Sequence, residues 1–334
     1  MIRPFHLQIG FRFLSHRLRR LHPFEAQAQL LNACDRLCLY CRCPKVETSL
    51  LTTDQWRSII RSLGRMGTLR IKFQGGEPTI RPDFRDLCAE AKQAGMRTAT
   101  VSNGVRIAAQ PELLDYLDEL VVSLDSTRPD VNDMLRGEGS HWAALKAIDI
   151  ALGRGLKSYV NMAVCKPNFS DVELMLNFCE GRGILMNAQP IIFGRTYYED
   201  EAKPIGLSSD EIRSLHRQLA VWKRQGRNLL FSPEAYLKAV YWPYLPQLSI
   251  RSDRETTCRA GKDYVHIEPN GDVLPCIQHD ADFRSKNIIR DGLEEALSQA
   301  QHHNCADCWP AYLNERKLLF RLRPRALCDM IRRS

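Results

Sequence analysis

The chain lacks the segments that would place it in a membrane or export it. No uninterrupted apolar run in its 334 residues approaches the ~18 residues that a membrane-spanning helix requires. The N-terminus, Met1–Phe5, has neither the apolar stretch nor the small-residue cleavage site of a secretory signal. Fixed-period repeats and low-complexity tracts are also absent. These absences predict a cytoplasmic globular protein, and 44% hydrophobic residues are enough for a sizeable core.

Acidic residues are absent from the first 20 positions and scarce in the last 20, and the whole chain carries a formal net charge of +8. The simplest interpretation is a solvated basic face at each end. Apolar residues accompany both ends, so a second interpretation is that the ends dock on the rest of the protein. A third is contact with an anionic membrane surface, and RNA is a less favoured partner. The basic residues concerned are Arg3, Arg12, Arg17, Arg19, Arg20, Arg316, Lys317, Arg321, Arg323, Arg325, Arg332 and Arg333.

Cysteine, by contrast, is abundant, with twelve residues in the chain. In a secreted protein this number would suggest disulfides, but nothing in the sequence directs export. Cys34, Cys38 and Cys41 are spaced C-x3-C-x2-C, and Cys305 and Cys308 are spaced C-x2-C. Such spacings are typical of thiolates that bind a metal in a reducing compartment.

The first cysteine cluster lies in the loop 33–41, and the sequence Gly75-Gly76-Glu77-Pro78 follows about one βα unit later. Three thiolates can hold three irons of a [4Fe–4S] cube and leave the fourth iron open to a small-molecule chelate. Zinc sites also use cysteine triplets, so the spacing alone does not decide between them. Together, the two motifs resemble the signature of the radical S-adenosylmethionine (SAM) superfamily.

The resemblance implies a [4Fe–4S] cluster on Cys34, Cys38 and Cys41, with SAM bound to the open iron. In that family, reduction of the cluster cleaves SAM to methionine and a 5′-deoxyadenosyl radical, which takes a hydrogen atom from the substrate. The family further implies SAM-binding roles for residues after the first four strands. These residues are Tyr40 against the adenine, Gly75, Gly76 and Glu77 at the amino group, Ser102 and Asn103 at the ribose, Ser123 and Asp125 after the fourth strand, and Arg136 at the carboxylate.

Two of these assignments compete with plainer structural roles. The alternative for Arg136 is a surface helix end, and the alternative for Ser123 is a hydroxyl that caps local backbone. Asn161, Asn187 and Gln189 follow on later strands, where facing the substrate and facing a helix or the core are equally compatible with the pattern.

Short apolar runs alternate with helical patterns between residues 25 and 200. Thr52 and Gln55 form a capping-box signature for the first helix. Strands separated by helices of 10 to 15 residues indicate βαβ units and a parallel sheet. The chain is therefore predicted to be an α/β protein and resembles the partial (β/α)6 TIM-like barrel of the radical SAM family, with its chemistry at the carboxyl ends of the strands. The predicted strands are 28–32, 69–73, 98–101, 120–124, 159–164 and 186–192.

A second constellation comprises Cys258, Cys276, Cys305 and Cys308. Between the first two, Asn270-Gly271 predicts a hairpin turn that places Cys276 just beyond a strand. This stretch resembles the Twitch domain, a shortened SPASM domain of a β-hairpin plus a helix, in which four cysteines hold one auxiliary [4Fe–4S] cluster. Only Cys328 remains in the region, too few for a second auxiliary cluster. A structural zinc ribbon is the alternative.

The remaining cysteines and the two histidines near the second constellation have plainer interpretations. Cys88, Cys165 and Cys179 are predicted to pack in or near the core, and Cys43 to be a spare thiol near the first cluster. His266 and His279 are interpreted as ordinary strand or loop residues rather than catalysts.

The sequence thus predicts five segments and a redox enzyme. The auxiliary cluster, if closed by four cysteines, would accept an electron from a substrate radical, and a flavodoxin or ferredoxin would supply the reducing electron. Only about 25 residues precede the first strand, too few for a leader-peptide-binding domain, which favours a small-molecule or lipid-like substrate. A peptide or protein maturase and a zinc-stabilised non-catalytic binding protein are the alternatives. The predicted segments are a basic N-terminal extension (1–24), a barrel (25–200), a helical bridge (201–250), an auxiliary-cluster domain (251–312) and a basic C-terminal tail (313–334).

Overall fold

The computed structural model describes residues 23–193, 198–245, 247, 249–251, 258–278 and 283–320. The strands are β1 (Glu25–Gln29), β2 (Arg70–Gln74), β3 (Arg97–Ser102), β4 (Glu119–Ser123), β5 (Lys157–Val164), β6 (Leu185–Pro190), β7 (Ser249–Arg251), β8 (Tyr264–Ile267), β9 (Asp272–Leu274), β10 (Lys286–Asn287) and β11 (Cys305–Cys308). The helices are α1 (Thr53–Met66), α2 (Phe84–Gln93), α3 (Val105–Ala109), α4 (Pro129–Arg136), α5 (Ser140–Gly153), α6 (Val172–Gly181), α7 (Ser209–Arg224), α8 (Pro233–Val240), α9 (Ile288–Asp291), α10 (Leu293–Ala300) and α11 (Ala311–Phe320).

Strands β1 to β6 are parallel neighbours in chain order, which confirms the predicted partial barrel. Strand β1 begins three residues before its predicted start. The prediction missed these residues because the sequence Glu-Ala-Gln-Ala-Gln is polar at every second position. Ala26 and Ala28 are fully buried in the main apolar core, whereas Glu25 and Gln27 line the barrel interior. A strand whose inward-facing side chains are polar contains no apolar run, so it is not recognised from an apolar run in the sequence.

Strand β2 also alternates between apolar side chains in the core and polar side chains that face the barrel interior. Ile71 and Phe73 are fully buried in the main core, and each such side chain contributes about 1.5–3 kcal/mol when removed from water. Between them, Arg70, Lys72 and Gln74 line the interior. The barrel therefore surrounds a cavity into which charged and polar side chains project, rather than the aliphatic layers that fill a closed TIM barrel.

The helix after the first loop begins as the sequence predicts. The Thr52 hydroxyl accepts from the Gln55 amide N–H at 3.2 Å, and the Gln55 side chain accepts from the Thr52 amide at 2.8 Å. Trp56 and Leu63 of this helix are fully buried in the main core. Gly67 ends it with φ of 91°, a left-handed conformation that favours glycine.

The predicted hairpin around Asn270-Gly271 is also confirmed: β8 and β9 are antiparallel, and Gly271 has φ of 91°. Its placement was not predicted. Strand β8 pairs in parallel with β1, so that Glu25 lies opposite Tyr264 and the hairpin continues the barrel sheet. The auxiliary segment is therefore joined to the barrel by backbone hydrogen bonds.

The side of the barrel between β6 and β1 is covered by segments from the second half of the chain. The amide of Met186 in β6 donates to the Asn228 carbonyl at 2.9 Å, which lays 228–230 along the edge strand. Helix α11 follows: Glu315 accepts from the Ser232 amide at 2.9 Å, and Arg316 pairs with Glu25 of β1. The first part of the predicted basic tail thus packs inside the protein. Residues 1–22 and 321–334 lie outside the described residues.

Candidate active site

The loop 33–41 carries the first three cysteines and emerges from the carboxyl end of β1. Two contacts fix it: the Leu39 amide donates to the Leu135 carbonyl at 2.8 Å, and Cys41 forms a backbone bridge with Tyr198. Cys34 and Cys38 are half-buried beside the same cavity. The fold therefore presents the predicted ligands at the barrel mouth.

Burial makes these thiols hard to ionise without a metal. Desolvation raises the pKa of Cys34 to about 12 and that of Cys41 to about 11, and it also raises the pKa of Cys38. Iron deprotonates a coordinating thiol outright, so a cluster would remove this penalty. Cys34 Sγ already accepts from the Arg36 amide at 3.4 Å, and Asn103 Nδ2 lies 3.8 Å away. These donors suit a thiolate.

The two glycines after β2 are required by contact with the cysteine loop. Gly76 donates to the Leu31 carbonyl at 2.9 Å, and Glu77 donates to the Ala33 carbonyl at 3.0 Å. A Cβ on Gly75 would lie 2.3 Å from the Leu31 oxygen, and one on Gly76 would lie 2.2 Å from the Ala33 oxygen. The family resemblance assigned these glycines to the amino group of SAM. The structure adds that they admit the neighbouring backbone.

Glu77 joins the ends of β2 and β3. Its side chain is 1% exposed and accepts from Thr79 Oγ1 at 2.5 Å, Ser102 Oγ at 2.9 Å and the Asn103 amide at 2.7 Å. Burial nevertheless raises its pKa. Asn103 Nδ2 in turn donates to Asp35 at 2.7 Å. The residues predicted at the SAM amino group and ribose therefore form one network beside Cys34.

A second network ties the loop to β4 and α4. Asp125 is fully buried and accepts from the Tyr40 hydroxyl, from Arg136 Nη1 at 3.1 Å and from the Ala163 amide at 2.9 Å. Arg136 also donates to the Tyr40 oxygen at 2.6 Å. Arg136 is 9% exposed, so the surface-helix alternative is wrong. Tyr40, Arg136 and the half-buried Ser123 line the cavity, whereas Asp125 acts from behind them.

The second group of cysteines comes together around Tyr264. Cys258, Cys276 and Cys308 are buried, and Cys305 is half-buried on β11. A hydrogen bond with Cys305 and the nearby Lys317 ammonium lower the pKa of Cys258 to about 6. No three described His, Cys, Asp or Glu side chains are arranged to hold a single metal ion.

Lys317 is a functional candidate that the sequence indicated only as one of the basic residues near the C-terminal end. It is 6% exposed on α11, its Nζ lies 3.6 Å from Cys308 Sγ, and it pairs with Asp307 at 2.6 Å. A cation beside a cluster thiolate stabilises negative charge there. Its place in a helix of otherwise mixed composition gave no signal, because the contact depends on how α11 packs.

One cavity of about 610 Å³ extends from the cysteine loop into the barrel. Its charged lining comprises seven basic and four acidic side chains, which leaves an excess of positive charge. Asn161, Asn187 and Gln189 all line it, so the substrate-facing alternative for these residues is the one that the geometry supports. Both amide atoms of Gln189 are buried without a partner among the described residues. An orphaned buried polar group costs about 1–3 kcal/mol.

The other singled-out residues have structural roles. Cys88, Cys165 and Cys179 are fully buried, as predicted. Cys43 is also buried, with Gln29 Nε2 3.9 Å from its sulfur, and it does not line the cavity. His266 is buried between Gln29 and Glu268 side chains. His279 and Cys328 lie outside the described residues.

Comparison with known proteins agrees with this geometry. A model of the radical SAM superfamily matches residues 29–179, and a model of the SPASM iron–sulfur cluster-binding domain matches residues 258–316. Mycofactocin maturase MftC of Mycolicibacterium smegmatis is 30% identical over 284 residues, covering 79% of this chain and 67% of that protein. PqqA peptide cyclase of Streptomyces rochei is 26% identical over 263 residues, covering 74% of this chain and 67% of that protein.

Among solved structures, Streptococcus suis SuiB shares the fold. With bound SAM it superposes with a TM-score of 0.64 at 20% identity, covering 87% of this chain and 69% of that one. Its complex with the precursor peptide SuiA gives a TM-score of 0.62 at 18% identity, covering 93% of this chain and 77% of that one.

The chain belongs to the radical SAM superfamily and carries a C-terminal SPASM domain. It is an enzyme whose cofactors are SAM, a SAM-binding [4Fe–4S] cluster and an auxiliary iron–sulfur cluster. The predicted family, fold class and cofactors are thereby confirmed, and the zinc ribbon and the non-catalytic binding protein lose their support. Within the described part of the chain, no helix combines the length and apolar composition needed to cross a membrane.

Proposed function

We propose that this enzyme modifies a peptide by radical chemistry. The proposal is supported chiefly by a continuous cavity that joins the first cysteine loop, the barrel interior and the inner face of α11. Its volume of about 610 Å³ lies within the ~300–1,000 Å³ of typical ligand pockets. A cavity of this size suits SAM together with one or two residues of a substrate.

Relatives favour a peptide over the small molecule or lipid that the sequence suggested. One is named a maturase, another is named a peptide cyclase, and SuiB was solved with a precursor peptide. The earlier preference depended on the short segment before the first strand, and it is replaced here by the peptide alternative. The positive excess along the cavity further favours an anionic or polar substrate segment.

The residues divide between the two cluster sites and SAM. In this proposal the first cluster is held by Cys34, Cys38 and Cys41. SAM lies against the two hydrogen-bonded networks, whose members are Tyr40, Gly75, Gly76, Glu77, Ser102, Asn103, Ser123, Asp125 and Arg136. The auxiliary cluster is held by Cys258, Cys276, Cys305 and Cys308. Every one of these side chains except Asp125 and the auxiliary cysteines lines the cavity.

When bound and reduced by a protein such as a flavodoxin or ferredoxin, the cluster and SAM supply a 5′-deoxyadenosyl radical that abstracts a substrate hydrogen atom. The chain's own residues bind, orient and shield. Glu77 holds the ends of β2 and β3 in register, and Asp125 holds Tyr40 and Arg136 at the cavity wall. Helix α11 covers the side between β6 and β1, which limits access of water to the interior.

The test is anaerobic incubation of the reconstituted enzyme and SAM with short peptides encoded beside its gene, followed by mass spectrometry. We expect 5′-deoxyadenosine to form together with a defined mass change in one peptide. A Cys34→Ala variant serves as the control and should give neither product. Formation of 5′-deoxyadenosine coupled to a small metabolite, with every peptide unchanged, would reject the proposal.

A further inference from the structure

We infer that the barrel interior holds a subsite for a carboxylate of the substrate peptide, with Lys72 of β2 as its cation and Gln189 of β6, in the same cavity, as an amide partner for the peptide backbone. The inference rests on the proposed function and deepens it, because it names the chemistry of the peptide that the cavity accepts.

Lys72 is a cavity-lining cation that forms no salt bridge with a described carboxylate. It lies on the inner row of β2, about 7 Å along the strand from Gln74 and hence below the SAM-binding turn. No described residue forms a hydrogen bond or salt bridge with its ammonium. The two nearby carboxylates form salt bridges with another cation: Glu25 pairs with Arg70 at 2.6 Å, and Glu119 pairs with Arg70 at 2.7 Å.

The surrounding charges favour an incoming anion. Glu25 also forms a salt bridge with Arg316, and Glu119 forms one with Arg97 at 3.4 Å. Three arginines therefore surround these two carboxylates. Burial, together with Arg70 and Arg316, lowers the pKa of Lys72 to about 8. A carboxylate beside Lys72 would relieve this repulsion and form the salt bridge that Lys72 lacks among the described residues.

Gln189 is a second polar side chain of the cavity that lacks a partner among the described residues. It is 7% exposed on β6, lines the cavity, and neither its Nε2 nor its Oε1 has a partner among the described residues. On the same strand Asn187 Oδ1 is likewise unpartnered, while Asn187 Nδ2 donates to Asn161 Oδ1 at 2.6 Å. A side-chain amide presents one donor and one acceptor edge, which match the carbonyl and N–H of a peptide bond.

The experiment measures peptide binding to the full, anaerobically reconstituted chain loaded with SAM. The probes are matched synthetic hexapeptides that differ only in one Glu or Gln, each made with a free and with an amidated C-terminus. We expect the wild-type protein to bind the carboxylate-bearing member at least tenfold more tightly. Comparison of the Glu and the free-terminus arms shows whether the carboxylate is a side chain or the chain end.

Variants assign the preference to residues. Lys72→Met should abolish the carboxylate preference, Lys72→Arg should keep most of it, and Lys146→Met, which removes an exposed charge, should change nothing. Gln189→Leu should weaken all peptides alike while leaving the preference intact. SAM affinity and thermal stability should be retained in Lys72→Met and Gln189→Leu, because Gln189 has no partner among the described residues and Lys72 forms no hydrogen bond or salt bridge with them.

Three results overturn the inference. In the first, the wild-type protein binds Glu and Gln peptides equally, with free and with amidated ends, and so has no preference for a carboxylate. Lys72→Met keeping the preference moves the site elsewhere. Binding of SAM but of no peptide rejects the proposed function, and the inference falls with it. The first two results, by contrast, leave a peptide-binding enzyme in place.

Discussion

The ammonium of Lys317 lies 3.6 Å from the Sγ of Cys308 and is almost fully buried. It is held there by Asp307, whose other carboxylate oxygen pairs with Lys238 on α8. Two lysines therefore share one aspartate, and in the described structure the contact with a cysteine sulfur is made by Lys317. Since reduction adds negative charge to an iron–sulfur cluster, a cation hydrogen-bonded to a ligand sulfur favours the reduced form.

Replacement of Lys317 by Met is expected to lower the reduction potential of the auxiliary cluster by on the order of tens of millivolts. The measurement is an EPR-monitored redox titration of the reconstituted protein. Lys238→Met is the matched control, because it removes a cation from the same aspartate without touching sulfur, and it should shift the potential less. Equal shifts in both variants would show that Lys317 acts only through Asp307.

Replacement of Gly76 by Ala should disrupt the first cluster site. The added Cβ would lie 2.2 Å from the Ala33 and Asn32 carbonyl oxygens, so the cysteine loop and the turn after β2 must separate. We expect a loss of about four irons of about eight and of SAM binding. Gly153→Ala is the control: nothing lies within 4 Å of its Cβ, and a helical alanine should be neutral or add about 0.5–1 kcal/mol. Normal iron content in Gly76→Ala would contradict the close approach.

The Asp125 network predicts an order of stabilities. Asp125→Asn leaves the buried guanidinium of Arg136 without its counter-ion and should cost about 3–5 kcal/mol of unfolding free energy. Tyr40→Phe removes the hydroxyl that donates to Asp125 and accepts from Arg136, but it leaves the Asp125–Arg136 ion pair in place and should cost about 1.5–3 kcal/mol. Urea unfolding of the cluster-free proteins measures both. A smaller loss for Asp125→Asn than for Tyr40→Phe would show that Arg136 does not depend on the carboxylate.

Carboxylate binding should depend on pH through Lys72. Its pKa is lowered to about 8, so the free enzyme carries the cation below pH 8 and loses it as the pH rises through that value. The groups that set this value are Arg70 and Arg316, which lower the pKa, and Glu25 and Glu119, which raise it. The preference for Glu over Gln peptides should therefore fade above about pH 8. Lys72→Arg should hold it to higher pH, since arginine stays charged. A wild-type preference that is flat to pH 10 would assign it to another cation.

Much of the first cluster site could be predicted, because its determinants are local. C-x3-C-x2-C sits in one loop, and the Gly75-Gly76 turn contacts that loop through the adjacent strand. Because β1 and β2 are parallel neighbours, their carboxyl ends lie at one edge of the sheet. The two motifs, which follow these strands in the sequence, therefore lie close together in space. The turn at Asn270-Gly271 and the cap at Thr52 are likewise short-range features.

The rest could not be predicted, because it depends on pairings between distant parts of the chain. Nothing in β8 indicates that Tyr264 will lie opposite Glu25, or that α11 will bring Arg316 to the same carboxylate. The sequence around Lys72 does contain one indication: Arg70 and Lys72 alternate with Ile71 and Phe73 in the predicted strand 69–73. That alternation indicates a row of polar side chains on one face, but the lack of a salt bridge to Lys72 emerges only from the assembled barrel.

The most direct test of the account is the iron and sulfide content of the anaerobically reconstituted protein, with EPR, beside a variant in which Cys34, Cys38 and Cys41 are replaced by Ala. We expect about eight irons in the wild-type protein, about four in the variant, and loss of the remaining cluster on adding Cys305→Ala. About four irons in the wild-type protein and none in the variant, with zinc retained, would contradict it.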